Sequence, residues 1–372
     1  MNDNQSLKVM IDVSAVPYGR GVSRYTSNLV LNLAELRNLE LTAFGYSQGQ
    51  YRQLKRWLGE LPANVKTKAW PISVSMTERL WRTVGRPRPV NAQIDVFHAW
   101  EWQLPPLKNL PMVVTVHDLA YKLFPETAHP SVVSHYDRLL EELEKNQHIR
   151  VIAVSQTTKQ DILKLTRIEE SRVHVVYESL PVESEIVPSD ELLTMTQIEF
   201  PKPFLLFVGT TEPRKNLTTI ISAWESVKDD FDLVIAGSIG WDEFRVKPGM
   251  HVLGYVPDEK LAALYRTAQA LVYPSLYEGF GLPILEAYFH GCPVITSNTS
   301  SMSEIAGQPA RLVDPTNPAE IAEAILSIED VDTKARQKRQ QDMRQVLEQF
   351  RWDDTAKQTM AVYQMSADES GV

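Results

Sequence analysis

The sequence holds a single cysteine, Cys292, among 372 residues. That excludes an intramolecular disulfide framework and any metal site built from several cysteines. No apolar run reaches the roughly 18 residues a membrane-spanning helix needs. The opening stretch, MNDNQSLKVMID, lacks a basic region followed by an apolar one and is not expected to be a signal peptide. Basic residues are in deficit: 38 Lys and Arg stand against 47 Asp and Glu, a net charge of -9. A general nucleic-acid binder needs the opposite balance, because phosphates are neutralised by clustered cations. Low-complexity tracts and repeats at solenoid periods are also missing, as are G-x-S-x-G, H-E-x-x-H and P-loop sequences. The segment PYGRGVSRY lacks the G-x-G-x-x-G fingerprint, so nicotinamide chemistry has little support. A soluble, cytoplasmic protein of two domains is the expectation, since 372 residues exceed what one core usually spans.

What is present is an alternation of short β-branched runs with helical ones. Strands are expected at 7–14, 39–46, 94–99, 112–117, 150–155 and 173–178, with a helix over 22–36 marked by Val22, Tyr25, Leu29, Leu33 and Leu36. The stretch 182–203 is weakly periodic, has three prolines and reads as a linker with a short helix. The alternation then restarts, with strands at 204–209, 231–237, 250–256, 270–275 and 293–298 and helices at 216–227, 258–268, 282–291 and 318–329. Two such series mean two doubly wound parallel-sheet α/β domains facing across a cleft. A last helix, with Trp352, Ala356, Thr359, Met360 and Tyr363 on one face, requires a packing partner.

Open parallel sheets bind ligands beyond the carboxyl ends of their strands, and that rule sorts the unusual residues. Gly19 and Gly21 follow the first strand; HAWEW, with His98, Trp100 and Trp102, comes at the end of 94–98; His117 and Asp118 follow 112–116. A lone histidine is most often a satisfied core group, but position makes His117 a functional candidate, ahead of His98. GTTEPRKN (209–216) sets Arg214 and Lys215 at the start of a helix, where cations are unfavourable unless an anion compensates them. The plainer alternative is two exposed cations, with Glu212 as a partner. YEGFGLPILEA (277–287) sets Glu278 between Tyr277 and Gly279 and, across Pro283, Glu286 about one turn inside a helix. Glu286 could merely complement the helix dipole, whereas Glu278 has no comparable structural reason. Gly279 and Gly281 suggest close approach of the backbone to a ligand. The triplets Asp230-Phe231-Asp232 and Asp330-Val331-Asp332 are badly placed for metal-bound nucleotide and read as solvated charges, and Cys292 as buried.

HDLAY, VGTTEPRKN, the long segment from LGYVPDEKL to SMSEIAG, and LVDPTNPAEIAEAI closely resemble the retaining glycosyltransferases of family 4, in their bacterial mannosyltransferase-like branch. The likeness runs over nearly the whole chain and is strongest between Phe204 and Pro315. It implies the GT-B architecture: an acceptor-side Rossmann-like domain over 1–185, a donor domain over 200–350, and a final helix, 352–368, crossing back onto the first. It further implies a nucleoside diphosphate sugar as substrate, GDP-mannose favoured, no cofactor and no metal, with Arg214 and Lys215 in the role of a cation. Glu286 would hold the donor ribose and Glu278 the transferred sugar, which His117 would also contact. Gly21, Gly209, Thr210, Thr211, Gly279, Phe280, Gly281 and Leu282 would complete the donor site. Two departures stand out. Gly209-Thr210 replaces a Gly-Arg pair, and VVYESLP, with Glu178 and Ser179, replaces an Asn-Gly turn.

The expected reaction is transfer of a hexose, mannose by preference, to a glycan or lipid-linked acceptor with retention, by a front-face route in which the departing phosphate deprotonates the acceptor. Glucosyl or N-acetylhexosaminyl transfer, epimerisation on the same fold, and a catalytically silent sugar-nucleotide-binding subunit are the alternatives. Segment 76–89 has four Arg against one Glu beside Leu80 and Trp81. It reads first as a solvated loop between strands, and second as a contact with an anionic inner-membrane face.

Overall fold

The computed structural model describes residues 6–19, 21–89, 94–100, 103–107, 110–128, 130–200, 202–328 and 333–369. Trp102 and the triplet Asp330-Val331-Asp332 lie outside the described residues. Two compact units form: Met1–Glu178 with Trp352–Val372, and Ser179–Arg351.

The first unit is built on seven parallel strands: β1 (Leu7–Asp12), β2 (Leu39–Tyr46), β3 (Lys66–Trp70), β4 (Val96–Ala99), β5 (Met112–Val116), β6 (Ile149–Ala153) and β7 (Val173–Val175). Their order is β3-β2-β1-β4-β5-β6-β7. The central strands are buried on both faces, as in a parallel sheet covered by helices on each side: every residue of β4, β5 and β6 is buried, His98, Thr115 and Arg150 among otherwise apolar side chains. The edge strand β3 was not expected from the sequence. Its KTKAW alternates lysine outward on an exposed edge, which blunts edge pairing and removes the apolar signature by which strands are recognised.

The second unit holds six more parallel strands, β8 (Phe204–Val208), β9 (Asp232–Ala236), β10 (Met250–Gly254), β11 (Ala270–Tyr273), β12 (Val294–Ser297) and β13 (Arg311–Val313), ordered β10-β9-β8-β11-β12-β13. Both sheets therefore reverse direction beside their first strand, between β1 and β4 and between β8 and β11. In a Rossmann-like sheet that is where ligands bind. Ser189 caps a helix over Asp190–Glu199, in the stretch read as a linker; it packs on the helix Asp258–Thr267 within the second unit.

The helix Trp352–Glu369 returns to the first unit, as the family resemblance implies. Trp352, Ala356, Met360, Tyr363 and Ala367 join the cluster of Val9, Leu29 and Val30. Segment 76–89 differs from the expected loop. Ser73 caps a helix over Val74–Thr83, and Trp81 turns into the core, its Nε1 donating to Pro87 O at 2.7 Å. Its four arginines are exposed while Trp81 is not, and Met76 and Val84 are exposed among them, so this stretch presents charge together with two apolar side chains. Among the described residues no helix is long and apolar enough to cross a membrane.

The carboxyl end of β1 carries an unusual buried acid. Asp12 Oδ1 accepts from Ser14 N at 2.9 Å, while Oδ2 has no hydrogen-bond partner among the described residues. Burial pushes its pKa up to about 7, against the opposing hydrogen bonds from Ser14 and Tyr46. A raised folded-state pKa gives stability that is full below the unfolded value near 3.8 and is lost as pH rises through 7. Asp12→Asn should therefore raise the melting temperature at pH 8 by at least about 2 °C, the shift that ~1 kcal/mol produces in a domain of this size. The gain should shrink as pH falls and vanish only below the unfolded value of 3.8. Calorimetry across that range checks it, and a constant difference would remove Asp12 as the source.

Candidate active site

In the second unit, the loop after β8 is fixed by backbone contacts. Gly209, at φ 147°, donates to Ala236 O at 2.9 Å, and Thr211 N donates to Ser238 O at 3.1 Å. The two loops approach so closely that a Cβ on Gly237 would lie 2.1 Å from Gly209 O, and one on Gly240 2.2 Å from Thr211 O. Those glycines are required by this contact. Thr211 is fully buried, its hydroxyl accepting from Gly240 N at 2.8 Å. Gly209 and Thr210 are half-buried beside it.

A short 3-10 turn, Pro213–Lys215, then precedes the helix Leu217–Trp224. Asn216, held in the left-handed region at φ 62°, donates its amide to Pro274 O at 2.9 Å and Pro315 O at 2.6 Å. With Leu276 N donating to Arg214 O at 2.8 Å, the loops after β8 and β11 are sewn together at the switch point.

This places the cations against Glu278. Arg214 Nη1 donates to Glu278 Oε2 at 2.8 Å and to Tyr277 O at 2.7 Å, and its Nη2 donates to Glu212 Oε1 at 2.5 Å. Lys215 Nζ donates to Glu278 Oε1 at 2.6 Å and to the Tyr273 hydroxyl at 2.7 Å, and Tyr273 in turn donates to Glu278 Oε1 at 2.8 Å. The cations are thus neither exposed nor uncompensated: Glu212 takes part, as the plainer reading of the loop had it, and Glu278 is the larger partner. Burial by itself would raise the Glu278 pKa. The Arg214 and Lys215 charges outweigh it, with hydrogen bonds from Lys215 and Tyr273, and hold the carboxyl down to about 2.

The glutamate turn is gripped from β12 as well. Ser300 and Ser301 donate to Glu278 O at 2.7 and 2.8 Å, and Ser301 also donates to Phe280 O at 2.9 Å. Sequence reading missed both serines, which sit in an unremarked hydroxyl run, NTSS, beyond a strand end. Gly279 and Phe280 are buried, Phe280 edge-on to Phe350 at 5.6 Å. Gly281, at φ 106°, precedes the helix Leu282–Phe289, with Pro283 in its first turn. Glu286 lies inside that helix, 5% exposed, accepting from Tyr265 at 2.9 Å and Ser184 at 2.8 Å. Side-chain hydroxyls, rather than the helix dipole, hold it.

In the first unit, His117 follows β5. Its Nδ1 lies 2.6 Å from Glu178 Oε1, and the Tyr25 ring meets it edge-on at 4.7 Å. The sequence marked Glu178 only as part of the departure at VVYESLP, without a partner; the structure pairs it with this histidine. His98 is a core group instead: Nδ1 lies 2.6 Å from Tyr363 Oη and Nε2 2.9 Å from Thr115 Oγ1, and burial, with the nearby His117, lowers its pKa to about 3. Trp100 points its indole N–H at Tyr46 Oη, 3.4 Å away. Gly21 opens the helix Gly21–Leu33 with no atom within 4 Å of a built Cβ, so neither crowding nor a left-handed dihedral requires glycine there. Cys292 is buried. Asp232 of the discounted triplet pairs with His251 at 3.0 Å at the amino end of β9. Among the described residues no group of three His, Cys, Asp or Glu could hold a metal ion.

Comparison with known proteins bears on the family and the fold. The Glycosyltransferase Family 4 model matches residues 19–183, and the model for glycosyl transferases group 1 matches 193–346. O-antigen chain mannosyltransferase B of Escherichia coli is 26% identical, over 96% of this chain and 100% of its own length. Sucrose-phosphate synthase from Thermosynechococcus elongatus superposes with a TM-score of 0.74 at 18% identity, covering 97% of this chain and 99% of its own. HepE of Anabaena, solved with UDP and glucose, gives 0.69 at 15%, covering 96% and 99%. The two Rossmann-like sheets and these neighbours give the GT-B fold, and the two family models with the mannosyltransferase relative make the chain a glycosyltransferase. The two family models together span most of the sequence, and the chain belongs to the family 4 glycosyltransferases, with a mannosyltransferase-like sequence.

The depressed pKa of Glu278 makes a stability prediction. Its ionised form is favoured by folding, so the contribution is complete above the ordinary value of 4.5 and is lost as pH falls toward 2. Chemical unfolding of the protein should lose up to about 3 kcal/mol from this group between pH 5 and 2. Glu278→Gln should flatten that slope; an unaltered acid dependence would exclude the cluster as its origin.

Proposed function

We propose that the chain transfers a mannosyl group from a nucleoside diphosphate sugar, GDP-mannose by preference, to a glycan or lipid-linked acceptor, with retention of configuration and without a metal ion. The carrying observation is the cluster of Arg214, Lys215 and Glu278 at the β8/β11 switch point. Two cations here meet two carboxylates, Glu212 and Glu278, so the cluster is close to charge balance on its own. A diphosphate arriving at this turn shares Arg214 and Lys215 with Glu278 and weakens their hold on its oxygens. The carboxylate then becomes an acceptor for hydroxyls of the transferred sugar, while Glu286 takes those of the ribose.

As the bond to the anomeric carbon breaks, negative charge gathers on the leaving phosphate. Arg214 and Lys215 stabilise it from positions already fixed by the turn, which is the condition for electrostatic catalysis. In the front-face route the leaving oxygen accepts the acceptor's proton, so no protein carboxylate has to act as nucleophile. His117 hydrogen-bonds a hydroxyl of the sugar substrate. Mannose is supported by the full-length likeness to O-antigen chain mannosyltransferase B, and a nucleotide-sugar donor by the UDP complex of the HepE neighbour.

The test is a thermal-shift and donor-turnover screen of GDP-mannose, UDP-glucose and UDP-GlcNAc with a chelator present. GDP-mannose should raise the melting temperature and be consumed, with the α-configured product seen by NMR. Preference for either UDP sugar, or dependence on a divalent ion, would overturn the reading. Lys215→Ala should reduce donor turnover about 10²–10³-fold, and fold intact, because Arg214 remains on Glu278. Glu278→Gln should lose turnover while binding GDP at least as tightly as the wild type, since it releases both cations.

A further inference from the structure

The position after β7 is where the family resemblance leads one to expect an Asn-Gly turn, and this chain has Glu178-Ser179. The structure gives that departure a partner. Glu178 Oε1 lies 2.6 Å from His117 Nδ1, and the side chains are 7% and 14% exposed. Both belong to the first unit.

The surroundings fix the two groups independently. His117 is held by its main chain, with Thr158 Oγ1 donating to its carbonyl at 3.3 Å, and by the Tyr25 ring on its face. Tyr25 is itself braced by Thr115, 3.2 Å from its hydroxyl, and by Trp352 at 5.9 Å. Glu178 is placed by the residue before it: Thr355 Oγ1 of the last helix donates to Tyr177 O at 2.9 Å. A carboxyl so fixed against Nδ1 selects the orientation and tautomer of an imidazole.

We infer that Glu178 is a positioning residue for the transfer reaction: it accepts the Nδ1–H of His117, holding the ring in one orientation and the tautomer whose acceptor nitrogen is Nε2. This rests on the reading of His117 as a contact to a sugar hydroxyl. On that reading Nε2 is the atom that meets the substrate, and Glu178 acts only through the ring. An Asn-Gly turn offers no such carboxylate, so the pair distinguishes this chain from relatives that keep the turn.

Two readouts on the full chain test the inference, with Glu178→Gln as the isosteric variant and Glu178→Ala as the truncation. In ¹⁵N-histidine-labelled protein, with His117 assigned by its loss in His117→Gln, Nδ1 should carry the proton in the wild type and in Glu178→Gln. Glu178→Ala should shift the ring toward the other tautomer. In GDP-mannose turnover, Glu178→Ala should lower kcat about 10–100-fold, as loss of an imidazole's orienting partner does elsewhere. The KM for GDP-mannose should stay within a few-fold. Added to His117→Ala, it should cost nothing further, because the two act as one unit. If His117→Ala turns over GDP-mannose normally, the reading of His117 has failed. If His117→Ala is inactive while Glu178→Ala keeps both wild-type turnover and the Nδ1 proton, the inference about Glu178 has failed. The NMR readout needs no donor and decides the pairing by itself.

Discussion

A carboxylate buried beside two cations is tolerable only when all three groups are held together, because each alone would forfeit its hydration for nothing. Glu278 with Arg214 and Lys215 is such a triplet, and much of the second unit serves to hold it. Arg214 and Lys215 arrive from the loop after β8, whose course is fixed by glycine contacts with the loop after β9. Glu278 arrives from the loop after β11, clasped by serines from the loop after β12. Asn216 ties the loops after β8 and β11 to that after β13. Five strand ends thus converge on one charge cluster. The glutamate that looked out of place in a glycine-rich turn is the counter-charge that lets the two cations be buried there.

The first unit is organised by a softer interaction, a chain of neutral polar groups. Tyr363, His98, Thr115 and Tyr25 form a continuous buried series, and His117 leans on its last member. His98 is kept neutral by burial, so the series adds direction without adding charge. Charge enters only at Glu178. Its influence reaches Tyr25, whose phenol is pushed above its ordinary value by burial and further by the Glu178 charge, against the Thr115 hydrogen bond.

Apolar periodicity made eleven of the strands legible, because buried parallel strands carry their environment in their composition. The two it missed are edge strands, β3 with its lysines and the three-residue β13, where solvent and shortness erase the pattern. The positional rule for strand ends singled out Arg214, Lys215, Glu278, Glu286 and His117 as candidates. It could not show that Glu278 and the cations are mutual partners, since their contacts span more than 60 positions. Nor could it find Ser184, Ser300 or Ser301, whose hydroxyls gain meaning only from the groups they touch. Glu178 was visible as an anomaly in a turn, but its reason lies 61 positions away, at His117. His98, ranked behind His117 for the same strand-end position, is the satisfied core group that a lone histidine most often is.

The helix Trp352–Glu369 closes the first unit although the whole second unit is made before it. During synthesis, the hydrophobic face formed by Val9, Leu29 and Val30 emerges early and waits uncovered while the remaining chain is made. His98 waits with it, lacking Tyr363, and so does the backbone before Glu178, lacking Thr355. The second unit, being continuous in sequence, has every residue it needs before those of the first are complete. The first unit therefore receives its last helix, and with it the Tyr363 partner of His98 and the Thr355 donor beside Glu178, only after every residue of the second has been made.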